Sequence, residues 1–88
     1  MPTIDEVAQA YVQRLDQAST QRETEIILEE LNRITYEGTS TLITDDDKEI
    51  LLQKIYNISR PYAIKTFDNK YYLALVSQML QQIRAGKK

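Results

Sequence analysis

The chain has 88 residues, of which 42% are hydrophobic and 27% charged, and 11 basic residues against 13 acidic ones leave a net charge of −2. It contains no Cys and no His, which excludes disulfides, thiolate nucleophiles, Cys-based zinc sites and imidazole catalysis within the chain. The length predicts a single helical domain over residues 1–88. Only two Gly and two Pro are present, which favours long helices over a turn-rich β-protein.

Segments that direct or anchor proteins to membranes have no counterpart in the sequence. No apolar run reaches the ~18 residues of a membrane span. The start Met1–Glu6 lacks the basic residues and the apolar core of a signal peptide. We therefore expect a cytoplasmic protein.

The first helix is predicted by its cap and by the spacing of its apolar residues. Thr3 followed by Glu6 fits a capping box, in which each residue satisfies a backbone N–H at the helix start. We expect a helix over residues 4–17, because apolar residues recur every three to four positions, at Ile4, Val7, Ala8, Tyr11, Val12 and Leu15.

A second capping box, which begins at Thr20, predicts the start of the next helix. Its apolar positions extend it over residues 20–36, and we expect Gly38 to end it as a residue with positive φ. The Ser/Thr-rich stretch that follows is β-branched, but a single short strand would have no partner. We interpret it as a loop whose Leu42 and Ile43 enter the core.

The third helix is expected over residues 45–59, with Thr44 as its N-cap and three Asp residues in its first turn. Negative charge there is favoured by the helix dipole. Pro61 lacks a backbone N–H, which predicts an end or a kink near Ser59 and a further helical turn over residues 61–66.

The fourth helix is expected over residues 69–84, with Asp68 as its cap and Gly86 as its end. Four amphipathic helices joined by short or medium loops bury their apolar faces most simply against one another. The sequence therefore predicts an all-α fold, an antiparallel up-down four-helix bundle.

Without Cys and His, the carboxylates are the side chains that remain as candidates for a metal site or for acid–base chemistry. Counted from Asp45, a calcium loop would need Gly at its sixth position and Glu at its twelfth, where this sequence has Ile50 and Tyr56. No spacing selects a catalytic pair, and Glu29 with Arg33 fits an i,i+4 ion pair on a solvated face. We expect no enzyme activity, no metal and no cofactor.

The aromatic residues concentrate in the C-terminal half, where basic residues are interleaved with them. Tyr is favoured both at the edge of a core and at interfaces, because it joins an apolar ring to a polar hydroxyl. One interpretation puts Tyr56 and Tyr72 at the core edge and fills the corner between helices 3 and 4 with Tyr62 and Phe67. The other predicts a partner-binding patch at that corner, formed by Arg60, Tyr62, Lys65, Phe67, Lys70 and Tyr71.

A nucleic-acid-binding protein is an alternative from a different class. Helix 4 begins with Asn69 and Lys70 and carries several Gln residues, which are side chains that contact bases, whereas the Asp residues at the start of helix 3 would repel phosphate. The acidic balance and the absence of a long basic stripe disfavour this class. A phage- or plasmid-type regulator that binds a protein or a nucleic acid stays the alternative function.

From Glu25 to Gly86 the sequence resembles the small helical immunity proteins that protect lactic acid bacteria from pediocin-like bacteriocins. The resemblance lies in a leucine-rich second helix, a Ser/Thr loop, a third helix, a polar break and a leucine-rich last helix. These contain Ile27-Leu28-Glu29-Glu30-Leu31, Leu42-Ile43, Thr66-Phe67-Asp68 and Ile83-Arg84-Ala85-Gly86. The resemblance implies a cytosolic antiparallel four-helix bundle that recognises a bacteriocin-occupied mannose permease, with specificity set by the C-terminal half.

Taken together, the sequence predicts a non-catalytic interaction protein with a protein partner. The membrane permease complex is the particular partner that the resemblance implies. The small core and the Tyr-rich face are also compatible with a homodimer.

Overall fold

In the computed structural model, four helices enclose one core. The structure describes residues 3–36, 38–65 and 69–86, with their side chains except those of residues 62–65 and 69–70. The predicted all-α four-helix architecture is confirmed. The helices are α1 Ile4–Gln17, α2 Gln21–Asn32, α3 Asp45–Lys65 and α4 Asn69–Gly86.

Contacts between helix ends fix the direction of each helix. Arg84, near the end of α4, donates to Glu49 near the start of α3 at 3.1 Å. Tyr72, near the start of α4, donates to Asp16 near the end of α1 at 3.1 Å. α4 therefore runs antiparallel to α1 and α3, while α2, whose first half is bonded to the start of α4, runs in the same direction as α4.

α3 is the central element of the core. It packs extensively on α4 and on α1, whereas α2 packs less extensively on α1 and α4. Leu52 and Ile55 of α3 are 0% exposed. The apolar core draws on all four helices and consists of Ala8, Tyr11, Val12, Leu15, Ile27, Leu28, Leu31, Leu51, Leu52, Ile55, Tyr72, Leu73, Val76 and Leu80.

Three of the predicted N-caps form as expected, whereas Asp68, the cap predicted for the fourth helix, lies outside the described residues. Thr3, Thr20 and Thr44 each accept a hydrogen bond from the backbone N–H three residues on, at 3.2, 3.1 and 3.2 Å. Glu23 extends the second cap, because its carboxylate accepts from the Ser19 N–H at 2.9 Å. Each cap satisfies donors that a helix leaves without an internal partner.

The second helix ends at Asn32, so its predicted extension to residue 36 is wrong. Thr35 instead pairs with Leu42 in an isolated antiparallel bridge, and the Ile43 N–H donates to the Ile34 carbonyl at 3.1 Å. The β-branched residues before and after the turn favour extended backbone. The Ser/Thr-rich stretch, for which no strand partner was predicted, therefore pairs with the residues just before the turn.

Gly38 lies within this turn with φ +75°, so it does not end α2. The two apolar residues that follow the turn, Leu42 and Ile43, differ in burial. Leu42 is 59% exposed, so its predicted burial is wrong, whereas Ile43 packs against the core as predicted. Successive residues of an extended segment point to opposite sides, and only one of the two can face the core.

α3 continues through Pro61 to Lys65, so the predicted end near Ser59 is wrong. The turn predicted over residues 61–66 is part of this helix as far as Lys65, and its last residue lies outside the described residues. Pro61 removes one backbone donor, but the burial of α3 between α1 and α4 maintains the helix. α4 also runs slightly further than predicted, to Gly86.

Truncation of one leucine in α3 and of one in the segment before α3 tests which of the two contributes to the stability of the fold. We expect Leu52→Ala, at a position that is 0% exposed, to lower the free energy of unfolding by about 2–5 kcal/mol through lost burial and a cavity. Leu42→Ala, at a position that is 59% exposed, should change it by less than ~0.5 kcal/mol. Urea denaturation followed by circular dichroism measures both, and equal losses would contradict the assignment of the core.

Candidate functional site

Two consecutive tyrosines near the start of α4 bond to two different helices. The Tyr71 hydroxyl donates to Glu25 Oε1 of α2 at 2.8 Å, and the Tyr72 hydroxyl donates to Asp16 Oδ1 of α1 at 3.1 Å. Neighbouring residues of an α-helix point about 100° apart, which lets adjacent side chains reach opposite neighbours. This end of α4 is therefore tied to α1 and to α2.

Tyr72 belongs to the core. It is 2% exposed, and burial is the main cause that raises its pKa to about 12, with the Asp16 carboxylate adding to the shift. The fully buried Ser59 hydroxyl has the opposite, smaller effect and lowers the pKa of Tyr72. This hydroxyl itself forms no hydrogen bond with any of the described residues. Tyr56 packs against the core, so the core-edge position is confirmed for Tyr56, whereas Tyr72 lies within the core itself.

The predicted patch at the corner between α3 and α4 is described only in part. Arg60 is exposed on α3 and Tyr71 is half-buried on α4. The hydrogen bond to the Glu25 carboxylate is the main cause that raises the pKa of Tyr71, and this bond directs its hydroxyl towards α2. The other four predicted side chains lie outside the described residues: Tyr62, Lys65, Phe67 and Lys70.

A surface groove between α2 and α4 was not predicted from the sequence. Its volume is about 240 Å³, and its apolar side chains are Leu28 of α2 and Leu75 and Met79 of α4. Leu75 and Met79 are partly buried against the core. The groove exists because α2 lies less tightly against α4 than α3 does, so the apolar seam between them stays open to solvent.

The rim of this α2–α4 groove is polar and acidic. Glu25, Glu29 and Asn32 line it from α2, and Gln78 and Gln82 line it from α4. Among the described residues that line it, none is Lys or Arg. Arg22 lies 3.7 Å from Glu25 and Lys48 donates to Asn32 at 3.2 Å, so Glu29 is the carboxylate of the rim that is left to attract a cation.

The Glu29–Arg33 ion pair expected from the sequence is not among the ion pairs of the described residues. Since α2 ends at Asn32, Arg33 has left helical geometry, with φ −113° and ψ 17°. The i,i+4 pairing depends on both residues lying on one helix face. Glu29 is therefore exposed on the groove rim without that partner.

Two further grooves are edged by ion pairs. The groove lined by Arg14, Ala18 and Ile26 lies beside a two-bond pair in which Arg14 donates to Glu30 at 2.9 and 2.7 Å. In the groove around Ile50, Arg84 binds side chains of α3, including the Glu49 carboxylate at 3.1 Å. The α2–α4 groove also borders an ion pair, since Glu25 on its rim lies 3.7 Å from Arg22.

The acidic run Asp45–Asp47 forms the first turn of α3 and contacts the segment that precedes this helix. Asp47 accepts from the Tyr36 hydroxyl at 2.6 Å, and the same hydroxyl accepts from the Thr44 N–H at 3.2 Å. Among the residues that the structure describes, no three acidic side chains come together as metal ligands. Asp47 thus joins the α2–α3 connection to the first turn of α3.

No protein-family model, no curated protein and no solved structure matches the chain. Within the described ranges, no helix combines the length and the apolar character that crossing a bilayer requires.

The raised pKa of Tyr72 predicts a loss of stability at alkaline pH. Its folded value of about 12 lies above the ordinary value of 10.0, so folding favours the protonated phenol. This contribution is complete below pH 10 and is lost as the pH rises through about 12. We expect Tyr72→Phe to lose less stability over this range, as measured by urea denaturation at successive pH values. Identical alkaline losses in both proteins would refute the assignment.

Proposed function

We propose that the chain is a non-catalytic interaction protein that binds a partner protein over the surface shared by α2 and α4. The observation that carries the proposal is the open α2–α4 groove, in which the half-buried Leu75 and Met79 are accessible within a polar rim, above the buried Leu28. An apolar centre within a polar rim is the usual arrangement of a protein-binding surface. The carboxylates of the rim favour a protein over a nucleic acid, because they repel phosphate.

The groove also relates to the site expected from the sequence. Tyr71, one of the six expected binding residues, is bonded to Glu25, which lines the groove. Arg60 is exposed on α3 and is available to extend the contact area around the end of the bundle. The proposed binding surface is therefore centred on the C-terminal helix, with the corner between α3 and α4 as its border.

The specific form of this proposal is an immunity protein against a pediocin-like bacteriocin. In this form the chain acts from the cytoplasm and binds the bacteriocin-occupied permease. Support comes from the residue pattern between Glu25 and Gly86 and from the order of the four helices. The groove residues of α4 lie in the C-terminal half, where the resemblance implies that specificity resides.

Site-specific cross-linking tests whether the α2–α4 groove binds a partner. A photo-cross-linking residue is placed at Gln78 on the groove rim or, as a matched control, at the exposed Gln13 of α1. In cells that carry the gene, we expect irradiation to give one discrete protein adduct from position 78 that is absent from position 13. Met79→Lys, which puts a charge on the apolar floor, should abolish the adduct while circular dichroism stays unchanged.

No adduct from position 78, or the same adducts from both positions, would show that the groove is not a binding surface. An adduct that survives Met79→Lys would place the contact elsewhere on α4. Mass spectrometry of the adduct identifies the partner.

The immunity proposal is tested by expressing the chain in a lactic acid bacterium that is sensitive to pediocin-like bacteriocins. We expect the inhibitory bacteriocin concentration to rise severalfold, because the chain would block the occupied permease. Met79→Lys should remove protection, and Gln13→Lys, which adds the same charge outside the groove, should retain it. Unchanged sensitivity across a panel of such bacteriocins would rule out immunity and leave the binding function to the cross-linking result.

A further inference from the structure

We infer that the α2–α4 groove binds an amphipathic helix of the partner, with Lys or Arg side chains along the edge that faces α2. This inference rests on the proposed binding function and specifies the chemistry of the partner. The apolar stripe of the bound helix packs on Leu75 and Met79. Its basic edge faces Glu29.

The shape of the groove fits a helix. The lining positions run from Glu25 to Asn32 on α2 and from Leu75 to Gln82 on α4. Seven residue steps of an α-helix rise about 10 Å, or two turns. Because α2 and α4 run in the same direction, they form two parallel walls along that length. A third helix placed between two others repeats the packing that builds a bundle, with anchors spaced at i, i+3 or i+4, and i+7.

The charges of the two walls specify the orientation of the bound helix. The α2 wall carries both carboxylates, and the α4 wall carries the amides of Gln78 and Gln82. Glu25 already accepts from Tyr71 at 2.8 Å and lies 3.7 Å from Arg22, whereas Glu29 is exposed and has no ion pair within the described part of the chain. A cationic side chain opposite Glu29 therefore gains an ion pair without breaking an existing one.

The experiment sorts a displayed library of 14-residue amphipathic helices against the full chain at low salt. The apolar stripe is fixed as Leu, and the positions on both edges are randomised among Lys, Glu, Gln and Ser. We expect the selected helices to carry Lys on one edge only. Nuclear magnetic resonance shifts on adding a selected peptide should map to residues of α2 and α4 around the groove.

Variants then test the charge contact itself. Glu29→Gln should weaken the selected peptides by roughly twofold to fivefold, as expected for the loss of one exposed ion pair. Gln13→Lys, which makes the same change in net charge away from the groove, should leave binding unchanged at moderate salt, where charges farther apart than about 10 Å are screened. Met79→Lys should abolish binding.

Selected helices without a Lys edge, an equal effect of Glu29→Gln and Gln13→Lys, or resonance shifts outside α2 and α4 would overturn the inference. So would light scattering that shows the groove covered by a second copy of the chain, with Met79→Lys converting a dimer to a monomer. If the cross-link at position 78 forms but no basic helix is selected, the chemistry assigned to the partner is wrong and the binding function stands. If neither occurs, the binding function itself fails.

Discussion

The burial of α3 between α1 and α4 is the constraint on which the other features depend. Leu52 and Ile55 are 0% exposed, and the helices on both sides of α3 align along it. Because this packing holds the helix in place, Pro61 is accommodated within it despite the lost backbone donor. The same packing leaves α2 as the remaining helix, which covers the rest of the core against α1 and α4.

The open groove follows from that arrangement. A chain of 88 residues has enough apolar surface to fill one core, and α3 lies at the centre of that core. α2 contributes the shortest helix, Gln21–Asn32, and its edge does not close fully on α4. Leu75 and Met79 consequently pack against the core on one side and line the groove on the other. The packing of α2 that completes the bundle therefore also leaves an apolar strip exposed.

The fold was predictable to the extent that local signals determine it. The predicted caps and the apolar periodicity placed α1 correctly and gave the starts of the other helices to within about one residue. The errors arose where a contact between distant residues overrides a local rule. Pairing of Thr35 with Leu42 shortens α2, and burial extends α3 past Pro61. The β-branched residues on both sides of the turn are a local signal for the first contact, but they do not reveal the pairing, and the residues around Pro61 carry no signal for the second.

The candidate site was less predictable for a related reason. Aromatic and basic side chains suggested the corner between α3 and α4, and Tyr71 does border the surface that we propose. The groove, however, depends on how closely two helices approach, and spacing along one helix does not encode that distance. The one signal was the breadth of the apolar face of α4, where Leu73, Leu75 and Met79 exceed the width of a single stripe.

The limited packing of α2 gives the molecule an uneven distribution of stability. Regions held by few buried contacts and by exposed side-chain bonds open at a lower free energy than the global transition. The bonds from Arg14 to Glu30 and from Lys48 to Asn32 are exposed, and they tie α2 at its outer edge and its last turn. We therefore expect α2, although its Leu31 is fully buried, to open at a lower free energy than α3 and α4. The groove would then have one wall that opens more readily than the other.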